Sequence, residues 1–354
     1  MANNDKASVV IDTRQTIIPL GLDDGHRNSK LVMDSNNLCI IDSQAQAGEQ
    51  SQISFGRGQK SVYQYKVGHQ PFIVGKIQEA MSTNFNEYPT SELNRAIVTH
   101  ALRQLKLDMG QKVAIVTGLP LKRFYRGKAI NQTLIEAKRQ SLLKNDVVEV
   151  VYGPHGSEIS REHIPTIVKH EVLPEGVAAW MDYVIDYDSQ GNTVKNADKY
   201  NQKVGIVDIG GRTTNLLVME SSNIDFARSD TKDLGGLNIE KAVAEEIYAN
   251  FGFVPSLLQL NRVMMEHKLE VWGKEEDVSD IVTRFEEIEA QNIVGAIRSV
   301  FKNAADLKKV LFVGGTTLPL RKYLTGLFPQ EEFHANPQYA NGFGMQKFAK
   351  LTLV

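Results

Sequence analysis

The sequence predicts a duplicated α/β fold, two domains of alternating strands and helices set around a shared cleft. Two observations carry this. The segment Asp23-Asp24-Gly25-His26-Arg27-Asn28-Ser29-Lys30-Leu31 and the segment Asp208-Ile209-Gly210-Gly211-Arg212-Thr213-Thr214-Asn215-Leu216 share the pattern Asp-x-Gly-x-Arg-x-x-[Lys/Asn]-Leu without a gap. Each follows an apolar run (Ile17 to Leu22; Val204 to Val207) and opens into another, which reads as strand, tight turn and strand. In both halves, strand-like runs then alternate with helix-like stretches.

Bulk properties narrow the class. A chain of 354 residues suggests roughly two domains, each long enough for its own core. With 42% hydrophobic and 23% charged residues, it has the composition of an ordinary globular protein. The formal net charge of −2 gives no general nucleic-acid footprint, so direct nucleic-acid binding is not expected. The single cysteine, Cys39, excludes a disulfide framework and a cysteine metal site, and is read as a core or edge residue. No apolar run approaches the roughly 18 residues that span a bilayer, and Met1 to Lys6 is polar, so a cytoplasmic protein without a membrane partner is expected.

Along the chain, residues 1–16 are polar around Val9-Val10-Ile11 and read as either a flexible lead-in or an extra edge strand. Residues 17–75 read as a β-rich meander that includes Leu38 to Ile41, Ser61 to Val67 and Gln70 to Val74. Ser91 caps a helix to Leu107, with Leu93, Ile97, Leu102 and Leu105 at helical spacing. Lys112 to Thr117 is a buried strand, Arg126 to Leu143 a helix and Asp146 to Tyr152 a strand. Leu173-Pro174-Glu175-Gly176 turns into a helix, and the polar stretch Asp186 to Gln202 links the halves. After the second turn, Leu234-Gly235-Gly236-Leu237 opens a helix to Phe251, and residues 255–305 read as one long helical region. Val310 to Val313 is a strand that breaks at Gly314-Gly315-Thr316 into a helix. Asn341-Gly342 forms a turn before a helix-like tail. The domains are therefore placed at 1–185, with 337–354 packing back on it, and at 186–336.

The turns suggest phosphate chemistry. Glycine lets the backbone approach an anion closely, and Ser, Thr and Asn side chains with turned-in N–H groups supply donors. An Asp at such a turn repels phosphate unless a hard cation such as Mg²⁺ lies between them. A lone Asp-Gly turn is ordinary hairpin chemistry; two matched ones are not. Lys30 could neutralise phosphate charge, and its counterpart Asn215 is neutral. Arg27 and Arg212 occupy matching positions, for which pointing to solvent is the plain alternative to a role at the site. Glu175, between Pro174 and Gly176, is either a first-turn acid that complements the helix dipole or a carboxylate that orients a water for in-line attack. Gly314 and Gly315 serve either close helix–strand packing or a nucleoside. His26, His155 and His163 lack metal-ligand spacing. Neither a P-loop nor a Rossmann fingerprint is present.

The order of these elements resembles the actin, heat-shock ATPase and sugar-kinase superfamily. The chain is most similar to the plasmid-segregation actins of the ParM/StbA group. The resemblance rests on Leu22-Asp23-Asp24-Gly25 with Asn28 and Lys30, on Thr117 to Leu121, and on Leu173 to Ala179. It also rests on Val207 to Thr214 and on Val313-Gly314-Gly315 with Asn341-Gly342. It implies a duplicated actin-like (ribonuclease H-like) ATPase fold with ATP or GTP and Mg²⁺ in the cleft. Asp23 and Asp208, with Asp24, would organise the metal. Gly25, Asn28 and Lys30 would meet phosphate from one side, and Gly210, Gly211, Arg212, Thr213 and Thr214 from the other. Glu175 would position the hydrolytic water, with Asp208 as the second catalytic carboxylate. Gly314, Gly315 and Thr316 would back the nucleoside, with Gly235 and Gly236 nearby. The implied partners are further copies of the chain in a head-to-tail filament and a DNA-bound adaptor that couples it to plasmid DNA. The rival readings are a phosphotransferase of the same fold and a membrane-associated cell-shape actin.

Overall fold

The computed structural model describes residues 16–49, 62–75, 77, 79–108, 110–152, 158–162 and 164–354. The Val9–Ile11 run, Ser61, His155 and His163 lie outside these residues.

The repeat seen in the sequence is a repeat of topology. In the first main sheet, strand Ile18–Asp24 pairs antiparallel with Asn28–Val32, which pairs with Leu38–Asp42. On its other side it pairs parallel with Lys112–Leu119, and that strand with Thr166–Pro174. The second sheet repeats this plan. Lys203–Ile209 pairs antiparallel with Thr214–Glu220 and then Asn223–Ile224, and parallel with Lys309–Val313 and then Glu331–Phe333. The registers match: Asp23 lies opposite Lys30, and Asp208 opposite Asn215. The central strands are apolar and buried because helices cover both faces, as parallel pairing requires.

Helix Glu92–Gln104 begins where Ser91 accepts a hydrogen bond from the Asn94 N–H. Its Val98, Ala101 and Leu102 pack on Leu20, Leu22 and Ile115 of the main sheet. Leu93, Ala96 and Ile97 cover a smaller five-stranded sheet through Tyr65, Phe72 and Val74.

Four stretches differ from expectation. The helix placed at 126–143 spans Gln132–Leu143; before it come a short helix, Leu121–Phe124, and a two-residue-strand hairpin that turns at Gly127, φ +63°. The region 255–305 is two helices, Leu257–Glu266 and Ser279–Phe301, separated by a hairpin of Lys268–Val271 with Lys274–Asp277. His267 ends the first helix in the left-handed region, and Trp272 and Gly273 both take positive φ at the hairpin turn. Residues 186–202 carry a hairpin of Ile185–Tyr187 with Thr193–Lys195 and a short helix, Ala197–Tyr200. Asn341 and Gly342 belong to the first turn of helix Ala340–Thr352 and form no separate turn.

That last helix lies along strands Ile18–Asp24 and Lys112–Leu119 and against helix Val177–Val184. Glycine permits the approach: a Cβ on Gly21 would sit 2.0 Å from the Gly342 carbonyl oxygen, and one on Gly344 would sit 1.7 Å from that of Ala178. Helix Val177–Val184 joins the halves. Its Ala178 packs with Val116, Leu173 and Met345, while Val177, Trp180 and Val184 pack with Ile206, Leu217 and Val313 of the second sheet.

Candidate functional site

A cleft of about 930 Å³ opens between the two main sheets. Its walls include Asp23, Gly25, Asn28 and Lys30 of the first turn and Asp208, Gly210, Gly211, Arg212 and Thr213 of the second. Glu175, Gly314, Gly315, Thr316 and Asn341 line it too, and its outer wall is helix Leu257–Glu266. The volume suits a nucleotide-sized ligand. The turns meet closely: a Cβ on Gly211 would fall 2.7 Å from Arg27 Cβ.

Three carboxylates converge in the cleft. Lys30 Nζ donates to Asp23 Oδ2 at 3.1 Å, across the register pair of the hairpin. Asp208 Oδ2 accepts from Asn341 Nδ2 at 3.0 Å and from Asn215 Nδ2 at 3.4 Å. Burial pushes the Asp208 carboxyl up to about 6; the Asn341 hydrogen bond opposes the shift and the charge of Asp23 adds to it. Glu175 Oε2 accepts from Asn215 Nδ2 at 3.1 Å. Burial raises the Glu175 carboxyl well above the usual range, and the charges of Asp23 and Asp208 raise it further. Burial, ahead of mutual repulsion, thus favours the protonated forms of Asp208 and Glu175.

Several expected site residues lie elsewhere. Neighbouring residues of a strand face opposite sides, so when Asp23 faces the cleft Asp24 cannot. Asp24 accepts from Lys138 Nζ at 2.8 Å and from Asn94 Nδ2 at 2.9 Å, and all three side chains are buried. Thr214, Gly235 and Gly236 shape the second turn from behind. The Thr214 hydroxyl donates to the Leu234 carbonyl at 2.9 Å, and Gly236 N donates to the Gly210 carbonyl at 3.3 Å. A Cβ on Gly235 would lie 2.5 Å from that carbonyl oxygen. Thr316 lines the cleft but spends its hydroxyl on Gly210 O at 2.8 Å, and Asn28 donates its amide to Asp42 Oδ1 at 2.8 Å. Arg27 is partly exposed at the cleft, and its Nε lies 2.5 Å from Glu240 Oε1.

Asn341, Asn215 and Lys138 are the residues that sequence reasoning missed. Asn341 Oδ1 also accepts from the Gly176 N–H at 3.0 Å, and Asn215 Oδ1 accepts from Leu121 N at 3.2 Å. Each asparagine therefore ties Asp208 to the first domain. Asn215 had a local signal, its place opposite Asp208 in the repeat. Lys138, in mid-helix, had none.

Among the described residues no three His, Cys, Asp or Glu side chains form a group that could hold a metal by themselves. Mg²⁺ does not need one, because it commonly binds through one or two carboxylates and completes its shell with water and phosphate oxygens. Asp23 and Asp208 fit that donor set, and the raised Asp208 carboxyl marks a charge that a cation would relieve.

Two sheets of one plan, with matched hairpins meeting across a cleft, define the actin-like fold. Residues 21–152 match the family of actin-like protein N-terminal domains, and residues 206–326 match the C-terminal domain of the MreB-like archaeal actin homologues. The chain belongs to the actin-like proteins. It is similar to a subunit of a 15-stranded ParM filament from Clostridium botulinum, with 19% identity, 95% of this chain and 100% of that chain covered, and a TM-score of 0.71. It is similar to an archaeal actin homologue in complex with ADP, with 18% identity, 95% and 100% coverage and a TM-score of 0.70. A non-polymerisable ParM quadruple mutant is similar at 19% identity, with 94% and 98% coverage and a TM-score of 0.70. No curated protein sequence matches the chain. No helix among the described residues is long and apolar enough to cross a membrane.

Proposed function

We propose that the chain is a nucleotide-driven, filament-forming ATPase, with domains at 1–185 plus 337–354 and at 186–336. The observation that carries this reading is the convergence of Asp23 and Asp208, from matched turns of different halves, on one cleft beside Glu175. Gly25, Asn28 and Lys30 would hold phosphate oxygens from one side, and Gly210, Gly211, Arg212 and Thr213 from the other. Gly314, Gly315 and Thr316 would back the nucleoside. Asp23 and Asp208 would hold Mg²⁺, which when bound supplies charge neutralisation at the phosphates. Glu175, held by the Asn215 amide, would accept a proton from the attacking water.

A triphosphate held by both turns favours domain closure, and loss of the terminal phosphate removes that differential contact. Head-to-tail contacts that require closure then link nucleotide state to polymer lifetime, and such contacts build helices that do not close on themselves. As the resemblance to plasmid-segregation actins implies, the filament would move plasmid DNA through a DNA-bound adaptor.

The test is phosphate release and sedimentation with Mg²⁺ and ATP, ADP or a non-hydrolysable ATP analogue, for wild type and Glu175→Ala. ATP should drive assembly. Glu175→Ala should slow hydrolysis by about 100-fold or more, in the range lost with a general base, while its polymers persist. Equal pelleting with every nucleotide, or hydrolysis unaffected by Glu175→Ala, would overturn the reading. Hydrolysis that needs a small-molecule acceptor would favour a phosphotransferase.

A further inference from the structure

We propose that two hydroxyls, those of Thr316 and Ser43, set the phosphate turns by drawing the matched carbonyls of Gly210 and Gly25 out of their hairpins. Thr316 Oγ1 donates to Gly210 O at 2.8 Å, and Ser43 Oγ donates to Gly25 O at 2.7 Å. Gly25 and Gly210 hold the same place in the repeated turn. The hydroxyls come from different kinds of element. Thr316 opens helix Thr317–Leu324 after a strand, and Ser43 follows strand Leu38–Asp42; both residues are buried.

The second turn shows the consequence. Ile209 pairs with Thr214, so Gly210 faces Thr213 across the loop Gly211-Arg212. A hydrogen-bonded hairpin pair ordinarily exchanges two N–H···O bonds. Here Gly210 N donates to Thr213 O at 2.9 Å, but Gly210 O turns away, to Thr316 and to the Gly236 N–H at 3.3 Å. The carbonyls on either side are drawn the same way. Gly211 O accepts from Leu237 N at 2.8 Å, and Ile209 O from Thr316 N at 3.1 Å. A Cβ on Gly235 would lie 2.5 Å from Gly210 O and 2.6 Å from Gly211 O, so glycine lets the helix end reach them. In a trans peptide the N–H points away from the C=O. Carbonyls drawn backward therefore aim the Gly211 and Arg212 N–H groups forward, into the cleft that these residues line. The Thr213 N–H, released from Gly210 O, joins them as a third donor for an anion. Thr316 and Ser43 thus act through the turns, as positioning residues.

Because these roles rest on nucleotide binding in the cleft, the experiment carries a wild-type arm that tests that reading by itself. A fluorescent nucleotide is displaced by a non-hydrolysable ATP analogue with Mg²⁺, and separately by adenosine, at protein concentrations too low to sediment. Thr316→Val should weaken the analogue about tenfold, the lower end of what a hydrogen bond to a charged group contributes, and leave adenosine unchanged. Thr316→Ser keeps the hydroxyl and should bind both ligands as wild type does. If Thr316→Val does not fold, Ser43→Ala carries the same test through the first turn. Equal losses for analogue and adenosine would assign the hydroxyl to the nucleoside or to the fold, and overturn the proposal. So would an unchanged affinity for the analogue, or a loss in Thr316→Ser as large as in Thr316→Val. Wild type that binds no nucleotide overturns the nucleotide reading and this one with it, whereas wild type that binds beside an unaffected variant overturns only the role of the hydroxyls.

Discussion

Asn341, on the last helix of the chain, donates to Asp208 Oδ2 at 3.0 Å in the opposite half of the molecule. Its Oδ1 accepts the Gly176 N–H, so one carboxamide ties both halves of the cleft. Asn341→Ala leaves a buried carboxylate and a buried N–H each short of a partner. The expected cost is about 2–6 kcal/mol, the sum of two desolvation penalties, read as a lower urea midpoint. Asn341→Asp should behave differently with pH. The new carboxylate lies against Asp208, whose carboxyl already titrates at about 6, and raises it further. A carboxyl raised in the folded state favours folding while protonated and disfavours it once ionised. The Asn341→Asp deficit should therefore be small near pH 5 and grow as pH rises toward 8.

Lys138 and Asp24 form an ion pair with side chains 1% and 2% exposed. Lys138→Met should cost about 3–5 kcal/mol, because Asp24 stays buried without its cation. Adding Asp24→Asn should recover most of that loss. Urea unfolding of the two single variants and the double variant measures the coupling, and additive losses would contradict a buried pair.

The features legible in the sequence are those whose chemistry is local. The two hairpins announced themselves because the same Asp-Gly turn appears twice between apolar runs. Ser91 marked its helix by capping it, and Gly314-Gly315 marked a strand–helix junction. The gapless match already paired Asp23 with Asp208; why Asp24 turns away was not legible, because it depends on strand alternation and on a lysine contributed by helix Gln132–Leu143. The helix read through 255–305 hid a hairpin whose turn, Trp272-Gly273, breaks the helical period. Asn341-Gly342 looked like a turn because glycine commonly makes one. Here Gly342 is chosen by tertiary packing, as a Cβ on it would fall 2.7 Å from Val32 Cγ2. Arg27 gave no local sign of its ion pair because its partner, Glu240, lies in the other half of the chain.

His170 is buried between Thr117, whose hydroxyl lies 2.9 Å from Nε2, and the Arg139 carbonyl, 3.2 Å from Nδ1. Burial lowers it to about 3, so the folded state carries it neutral, with Nδ1 protonated to donate to the carbonyl. A histidine lowered in the folded state contributes stability above its unfolded pKa near 6.5 and loses it as pH falls. His170→Gln should therefore be most destabilising relative to wild type at pH 7.5. The difference should shrink by about 1.4 kcal/mol per pH unit below 6.5. Comparing the two proteins at each pH cancels the opposing titration of Asp208 and Glu175. A difference that stays constant from pH 7.5 to 4.5 would mean that His170 titrates normally.

Gly344 tests whether the last helix transmits packing to the cleft. A Cβ there would lie 1.7 Å from the Ala178 carbonyl oxygen and 3.0 Å from Asp182 N, and backbone cannot rotate aside as a side chain can. Gly344→Ala must therefore lift helix Ala340–Thr352 from helix Val177–Val184, at about 1–3 kcal/mol or more. Asn341 rides on the same helix, one turn earlier. Lifting that turn draws its amide from Asp208 and its carbonyl from Gly176, so the loss that Asn341→Ala causes is partly incurred already. Gly344→Ala with Asn341→Ala should then cost less than the two single losses together, by about 0.5–3 kcal/mol in a urea double-mutant cycle. Strict additivity would mean that the helix yields at Gly344 without moving Asn341.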